Sequence, residues 1–246
     1  MATSNSPDTA PKRDGHFRLF APILAGATLR DRMMACLGAI LGISLTGIIS
    51  GYIFESDFHL PLIIAPLGAS AVLLFAVPAS PLAQPWPIIG GNTLSAFIGV
   101  TVAYFVRDPM IATGLSVSLA IMAMSFARCL HPPGGAAALT AVVGSSTVTS
   151  MGFMFPLVPV ALNSIVLVVL GFFFHALFGK SYPHSHPPAV EVKREGPLEL
   201  GGGVTSDDVD AALTELGETF DIDREDLNEL MQLAESKALA RRLSTT

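Results

Sequence analysis

The residues best suited to chemistry lie in one apolar stretch, Arg128-Cys-Leu-His-Pro-Pro-Gly-Gly-Ala-Ala-Ala-Leu-Thr140. It sets a cationic side chain, an imidazole and a helix start within a few residues of one another. Pro132 and Pro133 carry no N–H, so they end a preceding helix and suit the first turn of the next. A helix beginning there aims the positive end of its dipole, and any free N–H groups, at whatever lies before it. Arg128 would add a full positive charge, and Gly134 and Gly135 allow close approach. This is the chemistry of anion binding. A second run, Pro66-Leu-Gly-Ala-Ser70, has the same form: Pro66 opens a helix, Gly68 leaves room and Ser70 adds a hydroxyl donor. Two such starts facing each other would frame a site near the middle of a membrane. Asn92, after Gly90 and Gly91, is a further polar group able to line it.

Each of these residues also has a plainer reading. His131 serves either as a helix-capping residue fixed by packing or as a substrate or proton contact, for which an ordinary pKa near 6.5 suits it. Arg128 can instead snorkel to a membrane surface, and Asn92 and Asn163 can bond between helices. His175, in Phe172-Phe-Phe-His175, reads as a packing or interfacial residue. His184 and His186 form a His-x-His pair with no further ligands nearby, so neither a metal site nor a cofactor is expected. A membrane enzyme would need an acid to orient His131. No such acid, Gly-x-Ser-x-Gly or His-Glu-x-x-His is present, so the chain is not expected to be an enzyme.

The elements that must hold these residues follow from composition. Half of the 246 residues are apolar, mean hydropathy is +0.57 and charged residues make up 14%. From Met33 to Gly179 only Glu55, Asp57, Arg107, Asp108 and Arg128 carry charge. A water-facing shell needs more polar groups than this, so lipid must be the solvent for the region. The net charge of −6 is unevenly spread, since residues 181–246 hold fourteen acids against six bases and the rest of the chain is nearly neutral, and nucleic acid is not an expected partner. Cys36 and Cys129 read as packing residues rather than a disulfide or zinc framework. No compact signal peptide is expected, the first span serving as its own insertion signal.

A bilayer core about 30 Å thick needs roughly 20 helical residues. Residues 33–54, 110–129 and 156–178 meet that length. Residues 60–77, 88–106 and 132–144 are shorter or interrupted by proline and glycine, and are candidates for broken or re-entrant helices. The expected fold is therefore an all-α membrane protein: four full transmembrane helices plus two short broken or re-entrant ones, six hydrophobic segments in all. Six crossings, two of them short, fit the same parity. Pro66 to Leu73 matches Pro133 to Thr140 at an offset of 67 residues, which reads either as an internal repeat or as a chance match among Gly, Ala and Pro. If a repeat, it marks the interrupted segments as the working parts.

The domain order expected is a cytoplasmic segment over 1–32, a membrane domain over 33–180, a Pro/Gly-rich linker over 181–204 and an acidic helical tail over 205–246. Thr205-Ser-Asp-Asp208 resembles a capping box and sets Val209, Leu213 and Leu216 on one face. A second helix opening near Asp223 does the same with Leu227, Leu230, Met231 and Ala234. Lys12, Arg13, Arg18, Arg30 and Arg32 precede the first span and Lys180, Lys193 and Arg194 follow the last, so both termini are expected to be cytoplasmic.

His131-Pro-Pro-Gly-Gly-Ala136, with Ala65-Pro-Leu-Gly-Ala-Ser-Ala71 and Ser80-Pro-Leu-Ala-Gln-Pro-Trp86 upstream, resembles the HPP family of integral membrane proteins, which is named for its His-Pro-Pro motif. The tripeptide alone is not specific, since His186-Pro-Pro188 repeats it in the polar linker; the three motifs in order are. The resemblance implies about four membrane spans and transport, with plant and cyanobacterial relatives linked to nitrite movement. The tail resembles the segment joining this region to a nucleotide-sensing CBS pair in longer relatives, but no such pair is expected here.

The expected function is a transporter or channel for a small inorganic anion, nitrite or nitrate foremost, held at helix starts inside the membrane by His131, Arg128, Gly134, Gly135, Pro66, Gly68, Ser70 and Asn92. The competing expectation is a structural or sensory membrane component acting through its acidic tail. A multi-pass position in a bacterial inner membrane and association of several copies are also expected.

Overall fold

The computed structural model describes residues 28–54, 63–184, 205–216, 222 and 224–243, and among these every regular element is helical. The first helix, α1 (Leu29–Phe54), starts one turn before the expected residue 33. Thr28 and Asp31 cap it reciprocally: the Asp31 N–H donates to the Thr28 hydroxyl and the Thr28 N–H to the Asp31 carboxylate, both at 3.2 Å. Thr-x-x-Asp ahead of an apolar run is a capping-box signal. Next comes α2 (Pro66–Ala76), only 11 residues long, which at 1.5 Å per residue spans about half a bilayer core.

Among the described residues, four helices are long and apolar enough to cross a membrane: Leu29–Ile53, Pro87–Phe105, Pro109–Phe126 and Pro156–Leu177. The second corrects the expectation that 88–106 is broken. Gly90 and Gly91 form a π-helical turn, Pro87–Gly91, that runs directly into α3 (Asn92–Phe105). After it, α4 (Pro109–Phe126) is capped by Asp108, whose carboxylate accepts from the Met110 and Ile111 N–H groups at 2.9 Å. The short α5 (Pro132–Val143) is followed by α6 (Ser146–Met151), the chain bending by 89° between them. A kinked turn, Pro156–Ala161, with Val158 extended at φ −137° and ψ 110°, leads into α7 (Leu162–Leu177).

Contacts along the helices fix their directions. Against α1, Ile63 and Phe75 of the α2 segment lie at Gly47 and at Gly42 and Gly38 respectively, so α2 runs antiparallel to it. Ser50 meets Asn163, Gly42 meets Leu167, Gly38 meets Phe174 and Asp31 pairs with Lys180, so α7 is antiparallel to α1 as well. The turn 87–91 packs on α7 while α3 packs on 156–161, which makes α3 antiparallel to α7. Gly91 touches His131 and Gly99 touches Ala138 and Ala141, so α5 runs with α3; Trp86 at the start of α3 reaches Ala127 beyond the end of α4. The six segments thus alternate in direction, and α2 and α5 point opposite ways.

The two halves share a plan, with α6 present only in the second. Each has a long helix, then a short helix opened by proline, then a long helix entered through a proline-led turn with an asparagine in its first turn, Asn92 or Asn163. Because each half holds three segments, the second is inverted relative to the first. Leu67, Leu74, Phe75, Ile88, Phe155 and Leu167 fill the core between them. Large apolar side chains cover the outside instead, among them Met110 at 81% and Phe126 at 84% exposure. Such a surface is stable only against lipid.

In the tail, α8 (Ser206–Leu216) and α9 (Arg224–Leu243) form as expected. Thr205 caps α8, its hydroxyl donating to the Asp208 carboxylate at 2.7 Å. Val209 and Leu213 are buried against Ile222 and Leu227, while Leu216 and Leu230 are exposed. The N-terminal segment through residue 27, the linker from residue 185 and Asp223 lie outside the described residues.

Candidate site at the junction of two half-helices

The start of α5 meets α2 at Ser70, one turn past that helix's own start, so the positive dipole ends of both helices lie in this region. His131 stands at that point as the residue before α5, in extended conformation with φ −143° and ψ 107°. Its side chain does not cap the helix. It is fully buried, with Nε2 at 2.8 Å from Ser70 Oγ on α2 and Nδ1 at 2.9 Å from the Leu82 carbonyl. Close backbone approach makes this possible, because a Cβ on Gly91 would lie 2.6 Å from the His131 Cβ.

The polar group extends through the first turn of α3. Asn92 Nδ2 donates to Ser70 Oγ at 3.1 Å and to Ser164 Oγ at 3.4 Å, and all three residues are fully buried. One turn further, Ser95 lies on the same face of α3 and sits over Gly134, where a Cβ would come within 2.7 Å of its hydroxyl. Asn92 Oδ1 and Ser95 Oγ are buried without a hydrogen-bond partner among the described residues. Buried polar atoms are nearly always bonded, so the Ser95 hydroxyl and the Asn92 carbonyl oxygen each have capacity for a further partner, as do Thr46 and Thr93 elsewhere. Beside this group, the Ser50 hydroxyl donates to the Asn163 carbonyl oxygen.

The backbone contributes less than the helix starts promise. Pro66, Pro132 and Pro133 have no N–H, the Leu67 and Gly68 N–H groups donate to Ile64 and Ala65, and that of Gly134 donates to His131. Side chains and the dipole ends therefore provide most of the local polarity. Among the described residues no carboxylate offsets it, since the sequence has no Asp or Glu over 63–107 or 109–184.

The junction thus brings together His131, Ser70, Asn92 and Gly134, with Pro66 beneath Ser70 as a second acceptor for its hydroxyl at 3.3 Å. Gly135 is half-buried and Gly68 faces outward with no atom within 4 Å of an added Cβ. Arg128 is exposed, outside the buried group. It ends α4 in left-handed conformation at φ 53°, with the Cys129 N–H bonded back to Met124; this is a Schellman-like stop in which arginine takes the position usual for glycine. His175 has a packing role, bonded to the Leu74 carbonyl and stacked among Phe75, Phe174 and Tyr182. Ser95, Ser164 and the Leu82 carbonyl were not evident from the sequence. No group of three or more His, Cys, Asp or Glu able to hold a metal occurs among the described residues.

The family model for the HPP transmembrane region matches residues 25–183. Two proteins of Dictyostelium discoideum, each named only as a transmembrane protein, are similar to the chain. One is 39% identical over 132 residues, covering 52% of this chain and 46% of its own length; the other is 40% identical over 111 residues, covering 44% and 35%. The chain thus spans less than half the length of each of these relatives. No solved structure matches it.

Proposed function

The chain belongs to the HPP transmembrane family, and from that premise we propose that it moves a small inorganic anion, nitrite or nitrate, across the membrane through the junction of α2 and α5. The observation that carries this reading is the convergence of two opposed helix starts on buried His131, Ser70 and Asn92 with no acid to offset them. Positive dipole ends in a low-dielectric setting favour an anion, and an uncompensated site of this kind disfavours a cation. Ser95 supplies a hydroxyl donor, Gly134 and Gly91 allow close approach, and exposed Arg128 would draw anions toward the turn before His131. Arg30, Arg32 and Lys180 lie at the end where α1 starts and α7 finishes, which supports both termini being cytoplasmic; an inner-membrane position is part of the same proposal. Association of several copies belongs to the same proposal.

The test is anion uptake by proteoliposomes, wild type against His131→Ala, with insertion checked by protease protection. Uptake of nitrate or nitrite lost in an inserted variant supports the proposal; equal uptake in both rejects the site, and no uptake by wild type rejects the function.

One observation favours a second reading. Ser70 Oγ, His131 Nε2 and the Leu82 carbonyl have the spacing of a nucleophile, its base and an orienting acceptor. The Ser70 hydroxyl already lies among three partners and the Leu82 carbonyl carries no charge to stabilise an imidazolium as a triad acid does, so transport is preferred. Labelling of Ser70 by a fluorophosphonate would reverse that preference.

A further inference from the structure

The hydrogen bonds of His131 assign its protons. The Leu82 carbonyl can only accept, so Nδ1 carries the hydrogen and Nε2 presents its lone pair to Ser70. Ser70 donates to Nε2 and accepts from Asn92 Nδ2, and the Pro66 carbonyl lies within reach as a second acceptor. A proton added to Nε2 therefore requires no heavy atom to move. The new Nε2–H donates to Ser70, and Ser70 turns its own hydrogen to Pro66.

What the network lacks among the described residues is a counter-charge. Around the imidazole, α2 presents Ser70 and no ionisable group, the following segment presents the Leu82 carbonyl, the π-turn and α3 present Gly91 and Asn92, and the chain before it presents Cys129 and exposed Arg128. An imidazolium buried without an acid is unfavourable, and so is an anion buried beside a neutral imidazole. Together they neutralise each other, so binding of either promotes binding of the other by the same factor.

We infer that the protein carries a proton with each anion, His131 Nε2 being the proton-binding atom: a water-borne proton forms the N–H bond on one side of the membrane and leaves that nitrogen to water on the other. This rests on the anion-transport reading and adds its co-substrate and its electrical neutrality.

The test uses full-length protein in vesicles holding a pH dye, with nitrate as the anion because it stays ionised and the lipid carries none of it as free acid. An inward nitrate gradient is expected to acidify the interior by one proton per nitrate, at a rate unchanged when potassium and valinomycin clamp the voltage. Nitrate influx that needs the clamp and brings no acid overturns the coupling while leaving anion transport intact; no nitrate influx removes both. In His131→Gln, which can still bond Ser70 and Leu82 but cannot titrate, acidification is expected to fall to that of protein-free vesicles, and acidification at the wild-type ratio would overturn the assignment to His131. Should that variant fail to fold, the wild-type ratio of proton to nitrate decides the coupling alone.

Discussion

The two halves of the membrane body share a plan and divide its chemistry. In the first, α2 opens Pro66-Leu-Gly-Ala-Ser70; in the second, α5 follows His131 and opens through Pro133-Gly-Gly-Ala-Ala137. Ser70 corresponds by position to Ala137, and His131 to Ile64. The first half supplies hydroxyl, amide and carbonyl partners, while the second supplies the imidazole and Ser164. Neither half holds the site by itself, and the inverted arrangement forms it by bringing the two helix starts together. Packing differs too. At the place of Leu67, wholly buried in the first half, the second has Gly134, which lets Ser95 and the Gly91 backbone approach α5.

The largest effect expected from disturbing this comparison is at Gly134. A Cβ there would lie 2.7 Å from Ser95 Oγ and 2.9 Å from the Gly91 carbonyl, so Gly134→Val should cost about 1–3 kcal/mol and much of the folded yield. Gly135→Ala and Gly68→Ala, at the matched positions where no neighbour is closer than 3.9 Å, should leave yield and melting temperature near wild type. Equal sensitivity at all three would undo the distinction between packed and open glycines.

The two asparagines sharpen it next. Each holds a buried hydrogen bond, and replacing either by alanine should cost on the order of 0.6–1.7 kcal/mol in detergent unfolding. Anion uptake should fall only for Asn92→Ala, because Asn163 bonds Ser50 on α1 while Asn92 bonds Ser70 on α2 and Ser164 on α7. Uptake lost in Asn163→Ala at unchanged protein level would show that the polar pathway extends further into α1.

The smallest effect concerns Arg128, which has no counterpart in the first half. Its backbone occupies the left-handed region at φ 53°, so Arg128→Gly should stay within about 1 kcal/mol of wild-type stability and keep measurable uptake. Abolished uptake in that variant would give the arginine an essential place in the pathway.

Much of this site was legible in the chain because prolines mark helix starts and a histidine in an apolar stretch stands out. Rather less of its closure was. The Leu82 carbonyl is a main-chain atom with no residue signature, and Ser164 looks like any serine in a membrane helix. Ser95 could have been found by following the helical period from Asn92, since residues three apart share a face. The span over 88–106 looked interrupted because Gly-Gly normally weakens a helix; here the pair widens one turn and admits close contact with His131. Arg128 was weighed as a charge because left-handed helix ends are usually glycine.

The most direct test of the shared site is calorimetric titration of nitrate into purified protein in detergent, comparing wild type with Ser70→Ala from the first half and His131→Gln from the second. The account predicts saturable binding to wild type that either change alone removes while each variant remains folded. Wild-type affinity in either variant would contradict a site built jointly by the two half-helices.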